Sequence, residues 1–157
     1  MRIIAIDPGY DRCGVAIMEK AHSLEQVLFS TCIESDRKET IHARMYTVAA
    51  RIREYITLYS PSHLAIETLF FTNNKKTAMH VAEMRGVINF IGHDMGLVCC
   101  EYTPTQIKVA VTGSGAADKK QVFHMVSRLV SLPNSVAHDD EYDAVAIGIT
   151  HFAHTRS

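Results

Sequence analysis

Hydrophobic and polar positions follow two different periods along this chain. Over the first 34 residues, short apolar runs alternate with turn residues, which predicts three strands. The predicted strands cover 2–6, 13–20 and 25–34. Their short polar connections favour an antiparallel meander. From Arg37 onwards, apolar residues recur every three or four positions, which predicts an amphipathic helix that ends before Pro61. Ser35 or Asp36 is the expected N-cap of this helix.

The remaining pattern alternates between short apolar runs and helical stretches. The predicted elements are a strand over 63–67, a loop over 68–76, a helix over 77–95, a strand over 97–103, a short helix opened by Pro104, a link over 113–119, a helix over 121–132 and a last helix over 141–154. Strands joined through a helix favour parallel, right-handed connections. We therefore predict an α/β fold in one domain over 1–157. Its mixed five-stranded sheet combines a three-stranded antiparallel meander with two parallel strands and is flanked by helices.

Composition fits this fold class and narrows the class of protein. The 157 residues are 47% apolar and 21% charged, and no apolar run approaches the roughly 20 residues of a membrane span. The four cysteines form no CxxC pair and the N-terminus shows no signal segment. We therefore expect a cytoplasmic protein with no membrane contact and no zinc site or disulfide framework. His151 and His154 share a helix face, and we interpret them as a solvated helix end.

Two of the predicted strands end in an acid. Asp7 follows the first strand and Glu67 ends the fourth. If these strands are parallel neighbours, both carboxylates emerge at the carboxyl edge of the sheet, where open α/β sheets bind ligands. Each acid alone has a plain explanation, because Asp before Pro-Gly is common in turns and Glu67 fits a surface position. As a pair they would repel each other unless a cation lay between them.

A third acidic group opens the last predicted helix. Four of the five residues over 139–143 are acidic, which exceeds what helix capping needs. Asp140 and Asp143 are three residues apart and so share a face, with Asp139 as the neighbouring alternative to Asp140. The candidate ligand set is Asp7, Glu67, Asp140 and Asp143. Oxygen-only ligands suit Mg²⁺ or Mn²⁺ rather than zinc, and two such ions about 4 Å apart can promote phosphodiester hydrolysis.

The overall charge of the chain is compatible with such an acidic cleft. The chain has 16 Lys and Arg against 17 Asp and Glu, a net charge of −1. If four acids gather in one cleft, the rest of the surface is basic. A nucleic-acid substrate is therefore compatible with the overall charge.

Four segments together resemble a known family. They are IDPGYDRCG, AIETLFFTNNKKTAMHVAEMRGV, PTQIKVAVTGSGAADKKQV and DEYDAVAIGITH. In order and spacing they are similar to the RuvC-type Holliday-junction resolvases of the retroviral-integrase and ribonuclease H superfamily. The resemblance implies a ribonuclease H-like fold and a homodimeric endonuclease that resolves four-way DNA junctions symmetrically. It also implies Mg²⁺, with two ions per active site and Mn²⁺ as a substitute, 5′-phosphate ends, and a branch-migration complex as partner.

The resemblance also implies roles for individual residues. The four carboxylates become the metal-binding catalytic set, and Lys108 and Lys119 become basic residues important for activity. Phe70 falls where the family has an aromatic residue that handles bases at the junction. The further residues expected to contact DNA are Lys75, Lys76, Arg85 and Lys120. The chain departs from the family at Asp11, an extra acid whose role the sequence does not assign, and at Glu83, where Gln is common.

Other functions remain open from the sequence. The same scaffold also serves enzymes that cut RNA–DNA hybrids or act in transposition. An actin-like ATP-binding domain also begins with Asp-Pro-Gly and a hairpin, but it needs a second phosphate loop and a longer chain. A catalytically silent junction-binding protein is disfavoured by the complete set of carboxylates.

Overall fold

The computed structural model describes residues 1–22, 24–68, 75–132 and 138–155, with only the backbone described at 75 and 76. The described residues form five strands and five helices in the order βββαβαβααα. The strands are β1 (Arg2–Asp7), β2 (Arg12–Ala21), β3 (Leu24–Glu34), β4 (His63–Glu67) and β5 (Val98–Tyr102). The helices are α1 (Ile41–Tyr59), α2 (Lys75–Asp94), α3 (Pro104–Thr112), α4 (Lys119–Leu129) and α5 (Asp139–His154). None of the helices in the described ranges has the length and apolar character needed to cross a membrane.

One mixed sheet carries all five strands, with β1 at its centre. The strand order is β3-β2-β1-β4-β5. The β1–β2 and β2–β3 pairs are antiparallel, whereas β1–β4 and β4–β5 are parallel. The predicted combination of an antiparallel meander with two parallel strands is therefore confirmed.

Helices cover both faces of the sheet. Side chains of β1 alternate between them: Ile4 and Ile6 pack with α1 and α2, whereas Ile3 and Ala5 pack with α3, α4 and α5. Both faces are buried, so the central strand is an unbroken apolar run, as parallel strands in such sheets usually are. By the same alternation, the side chain of Asp7 falls on the face covered by α5.

Two glycines let α5 lie directly on the sheet. A Cβ atom at Gly14 would come within 2.0 Å of the backbone oxygen of Asp140, and one at Gly148 within 2.3 Å of the Met18 sulfur. Gly14 lies opposite Asp7 in the β1–β2 register. The first turn of α5 is therefore pressed against the sheet beside the end of β1, because no side chain at position 14 separates them.

Several helix boundaries differ from the sequence prediction. Thr40 is the N-cap of α1 and accepts a hydrogen bond from Ala43. The predicted cap Ser35 instead donates its hydroxyl hydrogen to the carbonyl oxygen of Tyr10, at 2.6 Å. Helix α4 begins two residues early, after a capping box at Asp118, and α2 and α5 also begin two residues earlier than predicted. These ends lie in polar stretches with several possible caps, where sequence pattern discriminates poorly.

The interpretation of His151 as part of a solvated helix end is wrong. His151 is completely buried, and its Nδ1 lies 2.9 Å from the hydroxyl of Tyr102, whereas His154 is exposed. Burial, followed by the nearby His63 and His154, lowers the pKa of His151 to about 4. The side chain is buried because α5 is apolar on nearly all sides and runs across the middle of the sheet.

Replacing Gly14 with Ala should destabilise the fold by about 1–3 kcal/mol, because the added methyl collides with the α5 backbone. Urea unfolding measures the change. Ala21→Val adds bulk at the exposed end of the same strand and should change the free energy of unfolding by less than about 0.5 kcal/mol. Equal effects of the two substitutions would contradict the proposed close approach of α5.

Acid should weaken the fold through His151. Its pKa is depressed from 6.5 to about 4 on folding, so the unfolded chain takes up the proton first as the pH falls. The stabilisation is complete above pH 6.5 and is lost towards pH 4, by about 3 kcal/mol. Urea unfolding at several pH values should show a shallower acid loss for His151→Gln than for the wild type. His42→Gln, at an exposed position on α1, should keep the wild-type slope, and an unchanged slope in His151→Gln would refute this origin.

Candidate active site

Two carboxylates lie side by side at the carboxyl edge of the parallel strands. Ile6 pairs with Ile66 in the β1–β4 register, so the next residue of each strand is Asp7 or Glu67. Both continue the row of Ala5 and Ala65, which faces α5. Removal from water, and then the negative charges of neighbouring carboxylates including Glu67, raise the pKa of Asp7 well above its ordinary value. The expected convergence of the two strand ends is therefore present.

The first turn of α5 brings further acids to the same edge. Asp143 is the strongest charged influence on the pKa of Asp7 after burial, and Asp140 also contributes. The pKa of Asp143 is itself raised, mainly by burial. Asp139, by contrast, is half-exposed, and a hydrogen bond from Lys119 is the main cause that lowers its pKa. The geometry thus favours Asp140 over Asp139 as the member of the buried acidic group.

Lys119 is placed among these carboxylates by the start of α4. Its Nζ lies 2.8 Å from Asp139 Oδ2 and 3.0 Å from Asp143 Oδ2. Burial opposes the charge of Lys119, but hydrogen bonds to the two aspartates outweigh it and raise its pKa above the usual value. The ammonium group in turn lowers the pKa of Asp7. Lys119 therefore supplies positive charge at the centre of the acidic group.

Glu67 is held by an arginine that the sequence suggested for DNA contact. Arg85 Nε donates a hydrogen bond to the carbonyl oxygen of Glu67 at 3.0 Å, and its NH2 lies 2.8 Å from Glu101 Oε1. The Arg85 side chain is only 16% exposed. Burial and Asp143 raise the pKa of Glu67 to about 7, although Arg85 and two lysines oppose the shift. Arg85 therefore fixes the end of β4.

An open cleft of about 230 Å³ lies above this edge. Glu67, Asp143, Lys108 and Lys119 supply its polar walls, and its apolar walls come from α3, α4 and α5. Carboxylates and lysine ammonium groups thus face each other across the cleft. Such an arrangement can hold a cation against the carboxylates and an anion against the lysines.

The donor set fits a divalent cation. The carboxylates offer only oxygen atoms, which Mg²⁺ and Mn²⁺ prefer. Their raised pKa values show that the site holds more negative charge than its hydration and its lysines can stabilise. A divalent cation would relieve that excess, so the residues present match the metal that the sequence suggests.

Not every predicted site residue can be placed. Phe70 lies outside the described residues. Lys75 and Lys76 begin α2, and their side chains also lie outside the described part. Lys120 is exposed and lines an apolar hollow beside the cleft. The structure therefore brings together the four carboxylates and the two lysines expected to be important for activity, and it leaves the aromatic prediction untested.

Two arginines near the site were not singled out by the sequence. Arg12 Nε lies 3.2 Å from Asp140 Oδ2. Arg44 forms an ion pair with Asp11, and its guanidinium carbon lies 5.0 Å from the centre of the Tyr10 ring. Asp11 therefore belongs to a network that fastens the β1–β2 turn to α1. Both contacts join residues that are distant in sequence, and they depend on how α1 and α5 pack on the sheet, which the sequence leaves open.

Comparison with known proteins agrees with this geometry. The family model described as crossover junction endodeoxyribonuclease RuvC matches residues 3–151. Curated proteins of that name from Moorella thermoacetica and Thermosipho melanesiensis are each 39% identical to this chain. The alignments cover 96% of this chain and 90% of the first protein, and 94% of both chains for the second.

Solved structures extend the comparison to three dimensions. "T. thermophilus RuvC in complex with Holliday junction substrate" superposes with a TM-score of 0.87 and 27% identity, over 96% of this chain and 92% of that one. The yeast mitochondrial Holliday junction resolvase Ydc2, at 11% identity and a TM-score of 0.71, shares the fold over 95% of this chain and 76% of its own. The predicted ribonuclease H-like architecture is thus confirmed, and the chain belongs to the family of the crossover junction endodeoxyribonuclease RuvC.

Proposed function

We propose that this chain is a structure-selective DNA endonuclease that resolves four-way junctions by metal-dependent hydrolysis of phosphodiester bonds, leaving 5′-phosphate ends. The observation that carries the proposal is the convergence of Asp7, Glu67, Asp140 and Asp143 beside Lys119 at one sheet edge. Its relatives bear the name of this activity, and the similar Thermus structure is described as a complex with a Holliday junction.

The four carboxylates would hold Mg²⁺, with two ions per site and Mn²⁺ able to replace it. When bound, ions of this kind lower the pKa of a water molecule and neutralise charge on the phosphate in the transition state. Asp7 and Glu67 orient this centre because each is fixed at the end of a central, hydrogen-bonded strand. Asp140 and Asp143 complete it from the first turn of α5.

Basic residues would bind the substrate around this centre. Lys108 and Lys119 line the cleft with Glu67 and Asp143, so they can hold a phosphate next to the carboxylates. Lys120 is exposed beside them, and Lys75, Lys76 and Phe70 follow the Glu67 strand and extend the expected DNA-binding region. We assign Arg85 to positioning, since its guanidinium is already engaged by Glu67 and Glu101.

Symmetric cleavage requires two such sites, and we propose a homodimer formed through α2. Met79 is 65% exposed and Phe90 is 66% exposed. They are eleven residues apart, three helical turns, and so lie on one stripe together with Gly86, where an added Cβ would meet no atom within 4 Å. An exposed apolar stripe of this kind is typical of an association surface. We also expect cytoplasmic localisation and a branch-migration complex as partner.

Substitutions at the acids test the function. Asp7→Asn and Asp140→Asn should each reduce Mg²⁺-dependent cleavage of a synthetic four-way junction by about 10³-fold, because each removes a charge from the metal ligands. Junction binding, measured by fluorescence anisotropy in EDTA, should change little. Asp139→Asn is the matched control: its carboxylate is exposed, and cleavage should fall by less than about tenfold.

A substrate panel completes this experiment. Four-way junctions, linear duplexes and RNA–DNA hybrids are incubated with the wild-type protein in Mg²⁺. Faster cleavage of the hybrid than of the junction would favour the alternative activity noted from the sequence. Full cleavage by Asp7→Asn would overturn the metal assignment itself.

Arg85 and Lys120 should have separable roles. Arg85→Ala should lower the cleavage rate about tenfold with an unchanged salt dependence of junction binding, because it loosens Glu67 without removing a phosphate contact. Lys120→Ala should instead weaken binding and reduce the slope of log K against log salt concentration by about one. Anisotropy titrations over a range of KCl concentrations, combined with single-turnover cleavage, measure both. If Arg85→Ala reduces the salt slope, Arg85 contacts DNA.

A further inference from the structure

A second group of metal-ligating side chains adjoins the acidic site. Cys32 on β3, His138 at the N-cap of α5 and Asp140 each offer one ligand atom, and these atoms all lie within 4.8 Å of one another. Cys32 Sγ is 3.8 Å from Asp140 Oδ2. His138 Nε2 is 3.5 Å from Glu34 Oε1, which adds a second carboxylate at the margin of the group.

The fold explains why these residues meet. Cys32 pairs with Gly14 in the β2–β3 register, and the start of α5 lies on Gly14. Ser30, two residues earlier on β3, donates a hydrogen bond to Glu141 of α5 at 2.8 Å. The side chains of residues 30 and 32 therefore face the same helix turn. The sequence shows no zinc spacing because Cys32 is far along the chain from His138 and Asp140.

The ligand types differ from those of the acidic site. Sulfur and imidazole nitrogen with one or two carboxylates are the ligands of zinc and of cobalt that replaces it, whereas Mg²⁺ prefers oxygen alone. Three protein ligands with a fourth position near Glu34 or solvent match a tetrahedral centre. We propose that Cys32, His138 and Asp140 form a Zn²⁺ site that shares Asp140 with the acidic cleft.

Zinc binding needs two local changes. Arg12 Nε lies 3.2 Å from the same Asp140 oxygen, and its side chain, 44% exposed, must turn away into solvent. The Cys32 thiol proton is released to solvent when sulfur binds the metal. Neither change disturbs the sheet, since Arg12 is at the start of β2 and Cys32 already lies beside Asp140.

Occupation of this site inhibits cleavage. Asp140 bound to zinc is no longer available to the proposed Mg²⁺ ligand set with Asp7, Glu67 and Asp143, so Zn²⁺ at low concentration competes with the use of Mg²⁺. This consequence rests on the proposed nuclease function, whereas the zinc site itself does not.

Cobalt titration tests the site without any activity measurement. Co²⁺ added to the wild-type protein should give a thiolate-to-cobalt charge-transfer band in the near ultraviolet that saturates at one equivalent and disappears on addition of Zn²⁺. Cys32→Ser should abolish the band, and His138→Gln should weaken Co²⁺ binding at least tenfold. Cys100→Ser, at another half-buried free cysteine, is the matched control and should keep the band. Circular dichroism verifies that each variant is folded.

The outcomes separate the zinc site from the nuclease. A wild-type protein without the band, or a band that survives in Cys32→Ser or vanishes in Cys100→Ser, overturns the site. In Mg²⁺ cleavage assays, micromolar Zn²⁺ should inhibit the wild type at least tenfold more strongly than Cys32→Ser. Equal inhibition overturns the competition through Asp140. Loss of cleavage in Asp7→Asn with the cobalt band retained shows that the two sites are distinct.

Discussion

Burial of several carboxylates together at one sheet edge is the constraint on which the rest of this structure depends. Parallel pairing of β1 with β4 forces Asp7 and Glu67 together, and the close contact at Gly14 adds the first turn of α5. Burial first, and neighbouring carboxylates next, disfavour the charged forms of Asp7 and Glu67 and raise the pKa of both. The acids stay together because the hydrophobic cores on the two faces of the sheet hold the backbone that carries them. A local arrangement that is unfavourable for stability is typical of a functional site.

The basic residues around these acids differ in how far they can move. Lys119 is 61% exposed and Arg12 is 44% exposed, so either can leave its aspartate partner for a phosphate or for solvent. Arg85 is only 16% exposed and is tied at both ends of its guanidinium. The mobile cations are suited to exchange with substrate and metal, because an exposed ion pair contributes little stability and costs little to break. The fixed cation is suited to hold Glu67 in place.

Much of this arrangement was predictable from the sequence, for identifiable reasons. Asp7 and Glu67 end short apolar runs, and strands joined through helices imply parallel pairing. The proximity of the two carboxylates therefore follows from the hydrophobic pattern and from the order of the elements. Contacts that depend on how α5 packs on the sheet were not predictable, among them Arg12 with Asp140 and the contact at Gly14. The burial of His151 was missed although α5 is apolar on nearly every side. That pattern indicates a central helix whose last turn is covered as well.

Asp140 has both a contact that the sequence predicts and contacts that it does not. Its presence near the cleft follows from three-residue spacing with Asp143, but its neighbours Arg12 and Cys32 come from the register of β2 and β3. One carboxylate thus adjoins the other buried acids on one side and a sulfur–nitrogen pair on the other. Because zinc binds most ligand sets more tightly than Mg²⁺ does, selectivity has to come from geometry and from competing partners. Arg12 is already paired with Asp140 and competes with a metal on the side of Cys32 and His138. The position of Arg12 therefore decides how readily zinc reaches the Asp140 carboxylate.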